Sequence, residues 1–185
     1  MKILDWLLGV IINPVQTFRE IARDKPIGWA FLLYLGITTL TSWVSGIDLQ
    51  EFNISPLQLF VGSLFFSIVM FFVLTGLLNL LSKGFQGTGS YWGLFSSLAF
   101  AQFPTIFLPV SRLLGQVADR AGSILAGIFS FAVFVWVLVL DILALRESQE
   151  FSTGKSILAY VLVCIILAVF FFIALVVGVL TMPEL

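Results

Sequence analysis

The chain has 185 residues, of which 60% are hydrophobic and only 10% charged, and its formal net charge is −1. A soluble domain carries about a quarter charged residues, so a globule facing water on all sides is excluded and a surface facing lipid tails is expected. The near-neutral charge also excludes a chain drawn to nucleic acid by its overall charge.

At the N-terminus, Lys2 is followed by an apolar stretch to Ile12, which weakly imitates a secretory signal. Asp5 interrupts that stretch, and Asn13-Pro14 occupies the place of small cleavage-site residues, so the segment is expected to be retained. Asn13 then suits a helix N-cap, Pro14 the first helical position, and Gln16 a capping box. Val15, Phe18, Ile21 and Ala22 share one face of this helix, while Gln16, Arg19, Glu20, Arg23 and Asp24 fill the other. Eleven residues are too few to span, so the helix is expected to lie flat at the cytoplasmic interface, with Arg19 and Arg23 near the headgroups, as a topogenic anchor.

Long stretches without Asp, Glu, Lys or Arg organise the remainder: 26–47, 52–82, 84–111, 121–140 and 156–183. Each is long enough for a helix to cross about 30 Å of hydrocarbon. The expected spans are Ile27–Ile47, Leu57–Leu81, Trp92–Leu114, Ser123–Leu145 and Ile157–Leu180. Connectors fall at Asp48–Pro56, Ser82–Tyr91, Gly115–Gly122 and Arg146–Lys155. The predicted architecture is an all-α integral membrane bundle of five transmembrane helices, with an N-terminal interfacial segment over residues 1–26 and the spanning domain over 27–185. Seven basic residues (Lys2, Arg19, Arg23, Lys25, Lys83, Arg146, Lys155) fall on one side and two (Arg112, Arg120) on the other. Cationic loops stay in the cytoplasm, so the N-terminus is expected inside and the C-terminus outside.

Asp141 is the one ionisable residue embedded within a span, and a carboxylate at the bilayer centre costs roughly 2.5–3.5 kcal/mol on insertion scales. Arg146 is rotated off its face. Asn79 and Lys83 on the second span lie at a similar depth, so a polar cluster of Asp141, Asn79 and Lys83 is one expectation. The other is that Asp141 faces interfacial water. Pro104, within Gln102-Phe103-Pro104, removes a backbone hydrogen bond and crowds the Phe100 carbonyl, so the third span should kink there. Ser96, Ser97, Gln102 and Thr105 make that span the most polar and the one expected at the centre. They serve either interhelical hydrogen bonding or a substrate path. Thr38, Thr39, Thr41 and Ser42 on the first span read the same way.

Three motifs carry no chemistry. Gly154-Lys155-Ser156 lacks the opening glycine and the preceding strand of a P-loop. The glycines at 84, 87 and 89 read as a flexible turn. Asn53-Ile54-Ser55 is a glycosylation sequon closed off by Pro56. Without histidine, the common nucleophile–base pairings and histidine metal sites are unavailable, and one buried carboxylate cannot supply an aspartyl dyad. Cys164 stands alone, so no intramolecular disulfide forms. No catalytic residue, metal site or cofactor is expected.

Several segments resemble the Yip family, five-span membrane proteins that bind Ypt/Rab GTPases. Residues 13–21, Asn-Pro-Val-Gln-Thr-Phe-Arg-Glu-Ile, are similar to the family's leading helix. Gly87-Thr88-Gly89-Ser90-Tyr91 followed by Ala99-Phe100-Ala101-Gln102-Phe103-Pro104 resembles its glycine-rich turn and proline-broken helix. Trp136 to Leu145, then Phe151-Ser152-Thr153-Gly154-Lys155-Ser156, resembles its last hairpin. The resemblance implies an all-helical bundle and a non-enzymatic role in membrane organisation, vesicle transport or partner binding. The short segment before the leading helix resembles compact prokaryotic members and implies a plasma-membrane location. The expected partners are the bilayer, a cytoplasmic protein and further copies of the chain, with no nucleic acid. A small oligomeric transporter, channel or permease-associated subunit is the alternative function.

Overall fold

A computed structural model of the chain describes residues 2–45, 55–117 and 119–181. All regular structure among them is helical. In chain order the elements are α1 (Lys2–Ile12), α2 (Pro14–Asp24), α3 (Ile27–Ser45), α4 (Pro56–Gly84), α5 (Tyr91–Ala101), a 3₁₀ turn (Phe103–Phe107), α6 (Leu108–Val117), α7 (Asp119–Gln149) and α8 (Thr153–Thr181). Four segments are long and apolar enough to cross a membrane: α4, the broken rod from Tyr91 to Gly115, α7 and α8. α3 is apolar, and its apolar stretch is shorter among the described residues. The end of the first predicted span and most of the Asp48–Pro56 connector lie outside the described residues.

Helix ends follow local chemistry. Ser55 and Gln58 form a reciprocal capping box, with Ser55 Oγ accepting from the Gln58 N–H at 3.2 Å and Gln58 Oε1 accepting from the Ser55 N–H at 3.0 Å. Ser90 Oγ likewise accepts from the Gly93 N–H at 3.1 Å. Asn13 precedes α2 as expected, but its side chain caps no backbone N–H. It donates instead to Gln16 Oε1 at 3.1 Å, so the predicted capping box does not form. The C-termini of α2, α4 and α7 all close through a non-glycine residue with positive φ: Lys25, Gln86 and Glu150. After α4, Gly87 N–H donates to Ser82 O and Gln86 N–H to Lys83 O, the paired closure that satisfies carbonyls at a helix end. After α7, Phe151 N–H reaches Arg146 O at 2.9 Å. The predicted connector Arg146–Lys155 is therefore mostly helical: α7 runs through Gln149, and only Glu150–Ser152 turns.

α5 is the centre of the bundle, with every residue from Gly93 to Ala101 buried. It packs against α2, α3, α4 and α7. Phe95 meets Phe71 and Phe72 of α4, and Tyr34 of α3 stacks on Phe71 with ring centroids 4.0 Å apart. Tyr34 also donates its hydroxyl to Ser67 O at 3.0 Å, joining α3 to α4. α8 is the least enclosed of the four long segments. Phe170, Phe172, Ile173 and Leu175 are exposed on it, which is the surface lipid tails require.

α2 forms where the capping residues put it, yet its apolar face meets protein. Phe18 and Ile21 are fully enclosed, and the helix lies against α5 and α7. α1 runs back along it, with Lys2 paired to Asp24 at one end and Gly9 against Thr17 near the other.

Candidate functional site

Two polar side chains from neighbouring elements, Gln102 and Tyr160, converge on Asp141 of α7. Pro104 has no N–H, and its ring excludes a continuous ladder past Phe100, so α5 stops at Ala101 and the chain makes one 3₁₀ turn. At that break the Gln102 carbonyl accepts from Thr105 N–H at 3.0 Å and from Thr105 Oγ1 at 2.7 Å. The Gln102 side chain is directed at α7, where Nε2 donates to Asp141 Oδ1 at 3.1 Å and Oδ2 at 3.4 Å. From α8, the Tyr160 hydroxyl donates to Asp141 Oδ2 at 2.8 Å. Asp141 itself is only 3% exposed. Three elements are thus fastened to one carboxylate.

Neither Asn79 nor Lys83 joins this cluster. α5 and α8 each pack on both α4 and α7, while α4 and α7 make no extensive contact of their own. Asn79 Oδ1 is buried without a hydrogen-bond partner, and Lys83 is exposed at the end of α4. The alternative, an Asp141 facing water, is also excluded by its burial. Ser96 and Ser97 are fully buried with hydroxyls that bond no other group, so they act as small side chains rather than as interhelical donors. Thr41 returns its hydroxyl to Ile37 and Thr38 carbonyls of its own helix.

Tyr160 was not singled out from the sequence, though a signal for it exists. In an antiparallel hairpin, residues equidistant from the turn face one another. Asp141 and Tyr160 stand ten residues before and nine after Phe151.

A second polar assembly closes the end of the bundle that carries α2. Glu147, on the last turn of α7, is 9% exposed and receives two guanidinium groups. Arg19 donates from Nε and Nη2 to Oε2 at 3.0 and 2.8 Å, and Arg146 donates from Nε to Oε1 at 2.7 Å. Arg146 also reaches Thr153 Oγ1 at 3.2 Å, at the start of α8. Arg19 was expected at the lipid headgroups; its partner is a protein carboxylate. From the α4–α5 turn, Thr88 donates to Glu150 at 2.6 Å and the Phe85 carbonyl accepts from Lys155 of α8 at 3.4 Å. An open cleft of about 650 Å³ lies here, lined by Arg19, Arg146, Glu147, Glu150, Phe151 and Thr153, among others. Arg23 is exposed on α2 away from this cleft, and Pro14 is half-buried at its start.

These pairs differ in consequence. Arg19→Ala is expected to cost less than ~1 kcal/mol, because its side chain is 71% exposed and Glu147 keeps Arg146. Glu147→Ala strips the acceptor from both guanidinium groups and is expected to cost about 1–3 kcal/mol. Thermal melts in one detergent should rank the two variants in that order.

A helical bundle with lipid-compatible outer faces, a broken central rod and a buried carboxylate held by two neighbouring elements defines an integral membrane protein rather than a soluble scaffold. The chain matches the Yip1 domain over residues 8–176, nearly its whole length, and belongs to the Yip family. That domain runs from the second half of α1 through most of α8 and includes every residue of both polar assemblies. No curated relative and no solved structure matches the chain.

Proposed function

We propose that this protein is a non-enzymatic, five-span member of the Yip family that organises membrane or holds a partner on its cytoplasmic side. α3 is the fifth span in this reading. The N-terminus and the α7–α8 turn lie in the cytoplasm and the C-terminus outside, in the plasma membrane of a prokaryote. Residues 1–26 form the N-terminal segment and 27–185 the spanning domain. Vesicle transport is consistent with the family.

One observation carries the partner-binding role: an open cleft lined mostly by polar and charged side chains lies at the end of the bundle that carries α2, between Arg19, Glu150, Phe151 and Thr153. Inside the spans, Gln102 and Tyr160 occupy the acceptor sites of Asp141. The second reading, an oligomeric transporter or channel, draws on the same contact, since Gln102 and Asp141 form a joined polar unit within the spans.

Two experiments separate these readings. Purified protein in liposomes should give no proton or potassium flux above empty vesicles, read with entrapped pyranine or a potassium dye. A photo-crosslinking residue at Phe151 should yield a discrete protein adduct in cells, and one at Phe172 on α8 should not. Flux that Gln102→Leu abolishes would replace the first reading with the second. For topology, a Cys164→Ser background carrying Glu150→Cys or Glu184→Cys should react with impermeant maleimide from opposite faces.

A further inference from the structure

We infer that α1 is an anchor embedded in a single leaflet, whose Leu4, Leu8, Ile11 and Ile12 stripe inserts among acyl chains beside the bundle. This inference rests on the reading of the long helices as spans.

Successive helical residues turn by about 100°, which divides α1 into distinct faces. Trp6 is 6% exposed and Val10 fully enclosed, with Ile3 and Leu7 packed beside them. Trp6 meets Phe100 edge-on, with ring centroids 5.8 Å apart. Gly9 lies against α2, so close that a Cβ there would stand 2.4 Å from Thr17 Oγ1. The sector facing away holds Ile11, Leu4, Leu8 and Ile12, from 38% to 79% exposed, and is bordered by the exposed Asp5 in the first turn, at the end near Lys2. α1 is therefore apolar on two sides, and protein covers one of them.

Position and charge identify what covers the other. Phe100 lies nine residues beyond the start of α5, roughly 13 Å along that helix. Through Trp6, α1 is held against the flank of a span at acyl depth, and its stripe continues the greasy exterior of the bundle. The basic groups sit at one end. Lys2 pairs with Asp24 and covers the Trp6 ring, so the first turn of α1 adjoins Arg23 and Lys25 at the end of α2. Arg23 and Lys25 are exposed and make no ion pair among the described residues, an arrangement that suits headgroup phosphates above the inserted stripe. α2, whose own apolar face is spent on α5 and α7, serves as the strap that holds α1 in place.

The test uses full-length protein in phosphatidylcholine–phosphatidylglycerol vesicles, with nitroxide labels on Leu8→Cys, Ile12→Cys, Glu20→Cys and Phe172→Cys in a Cys164→Ser background. Labels at Leu8 and Ile12 should collide freely with oxygen and on the order of tenfold less with a water-soluble nickel chelate than the label at Glu20. The Phe172 label on α8 reports whether the spans lie in lipid at all. Nickel access at Leu8 equal to that at Glu20, with Phe172 protected, overturns the assignment of α1 and leaves the spans intact. Protection of Leu8 from both oxygen and nickel means that protein covers the stripe, and also overturns it. Water access at Phe172 overturns the membrane reading itself.

Discussion

Asp141→Leu is expected to lower the melting temperature of the detergent-solubilised protein by about 5–15 °C, the equivalent of ~2–4 kcal/mol for a chain of this size. The loss does not measure the strength of the removed bonds. An interhelical hydrogen bond in a membrane protein averages about 0.6 kcal/mol, because the separated helices find other partners. What costs more is the pair of donors left behind: Gln102 Nε2 and the Tyr160 hydroxyl, both on part-buried side chains within the spans, would face leucine. Each orphaned donor costs roughly 1–3 kcal/mol. Gln102→Leu or Tyr160→Phe alone should cost about 1 kcal/mol, since Asp141 keeps its other partner. The triple variant Gln102→Leu, Asp141→Leu, Tyr160→Phe removes donors and acceptor together and should melt above Asp141→Leu alone. Tyr160 joins α8, the least enclosed long helix, to the centre, so limited proteolysis of Asp141→Leu should find α8 released first. Melting of Asp141→Leu at or above the native temperature would rule out a structural clasp.

The membrane-crossing helices were legible because charge is so costly in hydrocarbon that its absence marks them to within a few residues. α4, predicted from Leu57 to Leu81, runs from Pro56 to Gly84; α8, predicted from Ile157 to Leu180, runs from Thr153 to Thr181. The start of α2 was legible from Asn13-Pro14, and the central place of the third span from its small and polar residues. What remained hidden was which neighbour each face would meet. In a lipid-facing chain an apolar stripe satisfies protein and bilayer equally, so periodicity alone put Phe18 of α2 in the membrane, where the fold encloses it. α1 was legible only as an apolar stretch interrupted by Asp5, because leucine and isoleucine fall on both its enclosed and its exposed faces. Asp141 was legible as a residue in need of partners, but depth along a span narrows the choice to several helices. α4 was as plausible as α8 until the packing decided. Gln102 stands out in the sequence for its polarity, with nothing to join it to Asp141 except the turn that Pro104 imposes.

The glycines of the α4–α5 turn illustrate the same gap and lead to the second large effect. Gly89→Ala is expected to cost ~3 kcal/mol or more, at or beyond the usual range for overpacking, because neither side of the contact can yield. A Cβ at Gly89 would stand 1.9 Å from the Ser148 carbonyl oxygen and 2.8 Å from its carbon, both in the backbone of α7. Composition suggested a flexible turn, yet no glycine among the described residues has positive φ. Missing side-chain volume, not conformational freedom, is what Gly89 supplies. Its close approach seats the turn on the end of α7, where Thr88 N–H meets Gln149 O at 3.4 Å and Thr88 Oγ1 holds Glu150 beside the cleft. Gly84→Ala is the control: a Cβ there meets nothing within 4 Å, and the helix gains up to about 0.5–1 kcal/mol from the exchange. A reporter separates local undocking from general instability. In a Cys164→Ser background, Ser148→Cys should label slowly with maleimide, because Ser148 is 5% exposed. Adding Gly89→Ala should make that labelling fast, while a cysteine at Phe172 keeps its rate. Should Gly89→Ala melt like Gly84→Ala, with Ser148→Cys still shielded, the turn is not seated on α7 and this end of the bundle is built some other way.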